Sequence, residues 1–184
     1  RHVEGTAGSD HVIPLLFLHG AGASAGDPPL PELRRALGPG YEITAPDLGK
    51  PDADAWSRAI KAAISAIGPS PILVGHSLGA SHLLKCLAEL GPAVSPRGMV
   101  GLATPFWGET DWDSSAYALP DWGPDALDRL PIRLFHGTED VEVPPSHLDR
   151  WGQVLPGARL YRLDGQGHDF GGDLAAVAMA IAEL

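Results

Sequence analysis

Short apolar runs alternate with helical patterns along the chain. Six of these runs predict buried strands, at residues 12–18, 41–44, 72–74, 98–103, 132–135 and 159–163. Because the runs are nearly continuous in apolar residues, without strict alternation, they are typical of parallel strands that are covered on both faces.

Between the predicted strands, apolar residues recur at helical spacing. The pattern predicts helices over residues 52–67 and 77–90, each followed by a Gly-Pro pair, and a last helix that begins at an Asp173 cap. Strands that alternate with helices predict a three-layer α/β fold with a mostly parallel, six-stranded sheet.

One long segment interrupts this alternation. Residues 104–130 separate the fourth and fifth predicted strands and contain three of the five tryptophans, Trp107, Trp112 and Trp122. An irregular connection of this length is usually functional or disordered, and its aromatic residues argue against disorder. We therefore expect a small cap at about 104–130, within a single domain that spans residues 1–184.

The charge balance narrows the range of partners. The chain has 13 basic and 23 acidic residues, and its formal net charge of -10 disfavours binding to nucleic acid or to anionic membranes. No apolar run is long enough to span a membrane, and Cys86, the only cysteine, excludes an intrachain disulfide. These features favour the cytoplasm, with the reservation that the chain begins at Arg1 rather than Met, as it would after removal of a leader.

The pattern Gly-x-Ser-x-Gly occurs twice, around Ser24 and around Ser77. As a nucleophile motif it requires a strand that runs directly into a sharp turn and a helix, because this geometry exposes the serine hydroxyl at the helix N-terminus. Ser77 meets the requirement, since it follows a predicted strand and opens a predicted helix. Ser24 lies well past the first strand, and the prolines at 28 and 29 prevent a helix from starting immediately after it.

The loop at residues 20–25 also resembles a dinucleotide fingerprint, with Asp47 at the end of the next strand. That interpretation needs a helix to begin within the loop, so that a pyrophosphate lies at its N-terminus. The prolines at 28, 29 and 31 contradict this geometry. We therefore expect no nucleotide cofactor, and the sequence indicates no other cofactor or metal.

A serine hydroxyl is a poor nucleophile at neutral pH and needs a general base. His168 is the candidate base, because it follows the last predicted strand in a flexible loop at the sheet edge where Ser77 also emerges. His136 ends a strand and His76 lies inside the motif, but local packing or hydrogen bonding explains each of them better.

The base in turn needs an acid that orients it. Asp140 follows the fifth predicted strand, and the order Ser77, Asp140, His168 suits a nucleophile, an acid and a base. The adjacent Glu139 could serve chemically, but the turn can point only one of the two at the histidine. Asp140 is therefore the predicted acid.

The negative charge that develops on the substrate oxygen needs two hydrogen-bond donors. The backbone N–H of Leu78, directly after the nucleophile, is the first candidate. The second should come from the loop after the first strand, and we select Ala21, with Gly22 as the alternative.

Taken together, these residues resemble the α/β-hydrolase superfamily. The resemblance rests on His19-Gly20, Gly75-His76-Ser77-Leu78-Gly79, Asp140 and His168, and it implies a strand order of 2-1-3-4-5-6 without the usual first antiparallel strands. Pro46-Asp47, Pro51 and Thr104-Pro105-Phe106 look like the small serine hydrolases related to retinoblastoma-binding protein 9. The chain departs from the superfamily's D-x-x-G-x-G loop, since residues 47–51 lack the later glycine, and this affects the expected pocket floor.

The resemblance implies a serine hydrolase that cleaves a small carboxylic ester through an acyl-enzyme. A thioesterase or amidase with the same triad and a non-catalytic binding protein on the same scaffold are the alternatives, and the oligomeric state is left open. The candidate pocket residues are His76, Trp107, Trp112 and Trp122, although the tryptophans are equally suited to anchor the cap. Because strands and triad occupy most of the chain, we expect a shallow, open site.

Overall fold

The computed structural model describes residues 11–108 and 112–184. Its strands within those ranges are β1 (Ile13–Leu18), β2 (Tyr41–Thr44), β3 (Ile72–His76), β4 (Gly98–Leu102), β5 (Ile132–Gly137) and β6 (Arg159–Leu163). Its α-helices are α1 (Leu30–Leu37), α2 (Ala53–Ala66), α3 (Leu78–Leu90), α4 (Gly123–Leu127), α5 (Ser146–Val154) and α6 (Ala175–Ala182).

The strands form one sheet in which every neighbouring pair is parallel, in the order β2-β1-β3-β4-β5-β6. The structure therefore confirms the predicted three-layer fold and strand order. Strands β3 and β5 continue two residues past their predicted ends, to His76 and Gly137. Backbone pairing carries them on, since His76 lies opposite Leu102 and Gly137 opposite Leu163, and this pairing does not depend on apolar side chains.

Two hydrophobic clusters cover the two faces of the sheet. Alternate residues of β1 enter different clusters: Leu16 and Leu18 pack with α2 and α3, whereas Leu15 and Phe17 pack with α1 and α6. Because successive strand side chains point to opposite faces, a strand buried on both sides must be apolar at every position. This explains the continuous apolar runs in the sequence.

The helices begin and end near the predicted positions. Asp52 caps α2, where its side chain accepts the N–H of Ala55 at 2.9 Å. Helix α6 begins at Ala175, and Asp173 accepts the N–H of that residue at 2.8 Å from just outside the helix. Helix α1 was not predicted, because its apolar face is short and it begins directly after paired prolines.

The segment at residues 104–130 contains α4 and lies against α3. The indole Nε1 of Trp107 donates to Ser81 Oγ at 3.1 Å, and Lys85 Nζ donates to the carbonyl of Ala116 at 2.7 Å. Residues 109–111 of the expected cap lie outside the described residues. The role of the segment as a cap stays a prediction.

Candidate active site

Ser77 lies at a sharp turn between β3 and α3. Its backbone has φ 53° and ψ -124°, a conformation that non-glycine residues rarely adopt and that is often found at functional sites. The Ser77 N–H donates to the carbonyl of Leu102 on β4 at 2.8 Å, which ties the turn to the neighbouring strand. Helix α3 begins at the next residue, so the hydroxyl lies at a helix N-terminus.

Two glycines permit this turn. A Cβ at Gly75 would lie 2.5 Å from Ala80 Cα, and a Cβ at Gly79 would lie 2.5 Å from the carbonyl oxygen of Leu18. Real Cβ atoms do not approach backbone atoms this closely. Glycine at both positions therefore allows α3 to pack directly against β1 and β3.

Gly79→Ala should destabilise the fold, because the added methyl group would clash with the backbone of β1 and α3 would have to shift. We expect a loss of about 1–3 kcal/mol in the free energy of unfolding, measured by urea titration. Gly40→Ala is the matched control, since a Cβ there meets no atom within 4 Å. An equal change in both variants would contradict this account of the turn.

Asp140 and His168 form the buried part of the site. His168 Nδ1 donates to Asp140 Oδ2 at 2.9 Å, and Asp140 Oδ1 accepts the N–H groups of Glu142 and Val143, each at 2.9 Å. Burial raises the pKa of the Asp140 carboxyl, but hydrogen bonds from His136, His168 and Val143 hold that pKa well below its usual value. Asp140 is therefore a carboxylate at neutral pH. It is buried, whereas its neighbour at 139 is exposed.

The other ring nitrogen of His168 faces the opening. Its Nε2 lies 3.4 Å from Glu142 Oε2, and the hydrogen bonds of the described residues include none from His168 to Ser77. Burial lowers the pKa of His168, but the hydrogen bond to Asp140 and the charges of Asp140, Glu142 and Asp169 raise it, and the net result is above 6.5.

The raised pKa of His168 gives a pH prediction. If His168 is the general base predicted from the sequence, it acts in its neutral form, and activity should fall as pH decreases through a pKa above the ordinary histidine value. Glu142→Gln removes one charge that stabilises the imidazolium, and the acid limb of kcat/KM should move to lower pH by roughly 0.2 to 0.5 units because Glu142 is screened by solvent. Glu139→Gln, an exposed change on the same turn, should leave that limb in place. An upward movement in Glu142→Gln would contradict the assignment.

His76 contacts His168 from the sheet side. Its Nε2 donates to the backbone carbonyl of His168 at 2.7 Å, and the two ring centroids are 4.9 Å apart. Burial lowers the pKa of His76 to about 4, so its imidazole is neutral at physiological pH. His76 therefore holds the backbone of His168 in place.

The loop after β1 is held by His19. The Nε2 of this buried histidine accepts the N–H of Leu48 at 2.8 Å, and its Nδ1 donates to the carbonyl of Gly20 at 2.7 Å. The described hydrogen bonds give no protein acceptor to the N–H of Ala21 or of Leu78. Ala21 lines the cleft described below, and the assignment of Ala21 and Leu78 as oxyanion donors stays a prediction.

These elements surround an open cleft of about 380 Å³. Its lining consists of the loop after β1, the turn after β3 and the two loops that carry the base and the acid: Gly20, Ala21, Gly22, Ala23, Asp27, Pro28, His76, Ser77, Glu142, His168 and Asp169. The lining includes no lysine or arginine among the described residues. Three carboxylates, from Asp27, Glu142 and Asp169, therefore give the cleft a negative charge that was not predicted from the sequence.

The structure brings none of the three candidate tryptophans into this cleft. Trp107 lines a separate cavity of about 190 Å³ together with Phe106 and Trp151. Trp112 packs on Trp107 with ring centroids 5.2 Å apart, and Trp122 is 54% exposed. Aromatic packing and the hydrogen bond from Trp107 to Ser81 on α3 hold Trp107 and Trp112 outside the cleft.

The six-stranded parallel sheet with helices on both faces is the fold of the α/β hydrolases. The chain belongs to the alpha/beta hydrolase family, whose model matches residues 15–114. Among curated proteins, no match is found.

Solved structures with the same fold cover nearly the whole chain. Est1E from Butyrivibrio proteoclasticus is 15% identical, with 96% of this chain and 88% of that chain covered and a TM-score of 0.75. The ydeN gene product of B. subtilis is 18% identical, with coverages of 94% and 100% and a TM-score of 0.78. A monoacylglycerol lipase from Paleococcus ferrophilus is 16% identical, with coverages of 92% and 92% and a TM-score of 0.69. At these identities, the likeness concerns the fold.

Two further structural results bear on the site and its surroundings. No helix of the described residues is both long and apolar enough to cross a membrane. Within residues 11–108 and 112–184, no group of three or more histidine, cysteine, aspartate or glutamate side chains is arranged to hold a metal ion.

Proposed function

We propose that this chain is a serine hydrolase that cleaves small carboxylic esters through an acyl-enzyme intermediate. The observation that carries the proposal is the convergence of Ser77 and His168 on one cleft, with Asp140 bonded to the nitrogen of His168 that faces away from the opening. This is the arrangement that nucleophilic catalysis by serine requires.

In the proposed reaction, His168 Nε2 takes the proton of Ser77 Oγ while the oxygen attacks the ester carbonyl. Asp140 stabilises the imidazolium, and the N–H groups of Ala21 and Leu78 donate to the oxyanion. The alcohol leaves with the proton held by His168. A water molecule, deprotonated by His168, then attacks the acyl carbonyl. The bond from that carbonyl to Ser77 Oγ breaks, the imidazolium of His168 returns the proton to Oγ, and the carboxylic acid is released.

These reaction steps require the side chain of Glu142 to leave its position beside His168 Nε2. The Glu142 side chain is 65% exposed, so its movement into solvent breaks few contacts. Catalytic hydrogen bonds are often long or absent without a ligand and form when the substrate is bound. We therefore place the contact between Ser77 and His168 in the substrate complex.

Covalent labelling tests the proposal directly. A fluorophosphonate probe should modify Ser77, which peptide mass spectrometry would locate, and p-nitrophenyl esters should be hydrolysed with a burst of nitrophenolate when deacylation is slow. Labelling should disappear in Ser77→Ala and persist in Ser24→Ala, the change in the second copy of the motif. Absence of both labelling and turnover across acyl lengths would favour a non-catalytic binding protein, while turnover of thioesters or amides alone would change the substrate class.

The negative lining of the cleft gives a prediction about substrates. At low ionic strength, an ester with a quaternary ammonium group should show kcat/KM about threefold to tenfold higher than a neutral ester of the same shape, and an anionic ester should be slower than both. The differences should diminish at about 1 M salt, where charges are screened over a few ångströms. A preference for the anionic ester would overturn the prediction.

Three finer expectations stay predictions from the sequence. They are the relation to the small hydrolases similar to retinoblastoma-binding protein 9, the single domain with a cap at 104–130, and the cytoplasmic location.

A further inference from the structure

His136 is a buried polar residue at the end of β5 that the proposed reaction does not use. Its side chain is only 1% exposed, and it lies directly beneath the turn that carries Asp140. Its Nε2 is 2.9 Å from the carbonyl oxygen of Val143 and 3.2 Å from Asp140 Oδ2. The imidazole therefore links the end of β5 to the first and last residues of the turn, Asp140 and Val143.

The hydrogen-bond partners determine which ring nitrogen carries the hydrogen. Both groups near Nε2, a carbonyl and a carboxylate, are acceptors, so Nε2 must be the donor. The Nδ1 atom is buried and has no hydrogen-bond partner among the described residues. The single N–H of His136 Nε2 donates to the Val143 carbonyl at 2.9 Å and also faces Asp140 Oδ2 at 3.2 Å, the same oxygen that accepts from His168 Nδ1 at 2.9 Å.

A carboxylate oxygen that faces two imidazole N–H groups interacts with both, even where one of them is shared with a carbonyl. The other oxygen of Asp140 already accepts two backbone N–H groups, so both oxygens of the carboxylate have hydrogen-bond donors. Removing the donor on the His136 side would leave more negative charge for His168 and stabilise its imidazolium.

We propose that His136 is a positioning residue that orients Asp140 and takes up part of the negative charge that Asp140 presents to His168. The inference rests on the proposed role of His168 as the base. The other groups that face His168 are Glu142 and Asp169 on neighbouring loops and His76 on β3, and none of these contacts His136 in the described hydrogen bonds and ion pairs.

The test is a titration of His168 by NMR in protein with labelled histidine, which requires no turnover. His136→Met removes the donor and retains much of the volume, and His136→Asn ends too short to place an amide at the Nε2 position. In both, the pKa of His168 should rise by about 0.5 to 1 unit. His136→Gln can place an amide N–H near the Nε2 position and should return the pKa to within about 0.3 units of the wild-type value.

Folding of each variant is checked by its urea midpoint and circular dichroism. An unchanged pKa of His168 in a folded donor-free variant, Met or Asn, would overturn the proposal, and so would an equal rise in His136→Gln. Failure of this inference is distinct from failure of the proposed function. Absent ester turnover together with the expected rise would sink the hydrolase proposal and leave the link between His136 and His168 intact.

Discussion

Ser77→Ala should lower kcat for a p-nitrophenyl ester by about 10⁴-fold or more, because no other group can form the acyl-enzyme. The alanine fits the same turn, so the fold and the affinity for the ester should change little. The residual rate should come from the oxyanion donors and from binding alone. Steady-state kinetics on the purified variant, with fluorophosphonate labelling of the same sample, measure the effect.

The matched control is Ser24→Ala. Ser24 also lies at the centre of a Gly-x-Ser-x-Gly pattern, but its N–H and hydroxyl both bond to Asp27 in the loop after β1. The backbone bond at 2.8 Å persists in the alanine variant, so its kcat should stay within about twofold of wild type. A loss of activity in Ser24→Ala with normal activity in Ser77→Ala would reverse the choice between the two motifs.

Asp140→Asn should also reduce kcat by about 10⁴-fold at neutral pH. The amide retains the shape of the carboxylate but lacks its charge, and it can present a donor to His168 Nδ1, which favours the wrong tautomer of the base. Without the carboxylate the imidazolium loses its partner, so the pKa of His168 should fall. The pH dependence of kcat and an NMR titration of His168 check the two parts of this expectation.

The neighbouring carboxylate provides the control for the acid. Glu139→Gln changes an exposed side chain on the same turn, and its kcat should stay close to the wild-type value. A large loss in Glu139→Gln and a small one in Asp140→Asn would show that the acid was assigned to the wrong residue. Similar large losses in both would indicate that the whole turn had been disturbed.

Asp140 should also contribute to the pH dependence of stability. Its pKa is lower in the folded chain than the ordinary value of 3.8. This contribution is therefore present above about pH 3.8 and is lost as pH falls through the folded pKa. Urea titrations at decreasing pH should therefore show this part of the free energy of unfolding disappear only well below pH 3.8.

The sequence was sufficient to predict the sheet and the turn at Ser77 for a physical reason. Parallel strands buried on both faces need continuous apolar runs, and a strand that leads through Gly75 and Gly79 into a helix leaves few alternatives for the turn. Because parallel strands end at one edge, residues that follow β1, β3, β5 and β6 had to meet there. Asp140, His168 and Ser77 lie at the same edge of the sheet because the strands that precede them are parallel.

The surroundings of His168 could not be predicted in the same way. Glu142 lies near Nε2 because the turn after Asp140 folds back over the cleft, and the sequence pattern specifies no such direction. The placement of His136 depends on the twist of β5 and on the carbonyl of Val143, which is a matter of packing. The tryptophans were ambiguous because pockets and structural contacts favour the same aromatic side chains.

The strand order places Ser77 and His168 after strands that differ in local stability. Ser77 follows β3, a central strand with neighbours on both sides, whereas His168 follows β6, which lies at the edge and pairs only with β5. Edge elements open in fluctuations that leave the rest of a domain folded. A brief detachment of β6 would carry His168 away while the turn at Ser77 stayed intact, so the proposed catalysis depends on an edge strand of the sheet rather than on its central strands.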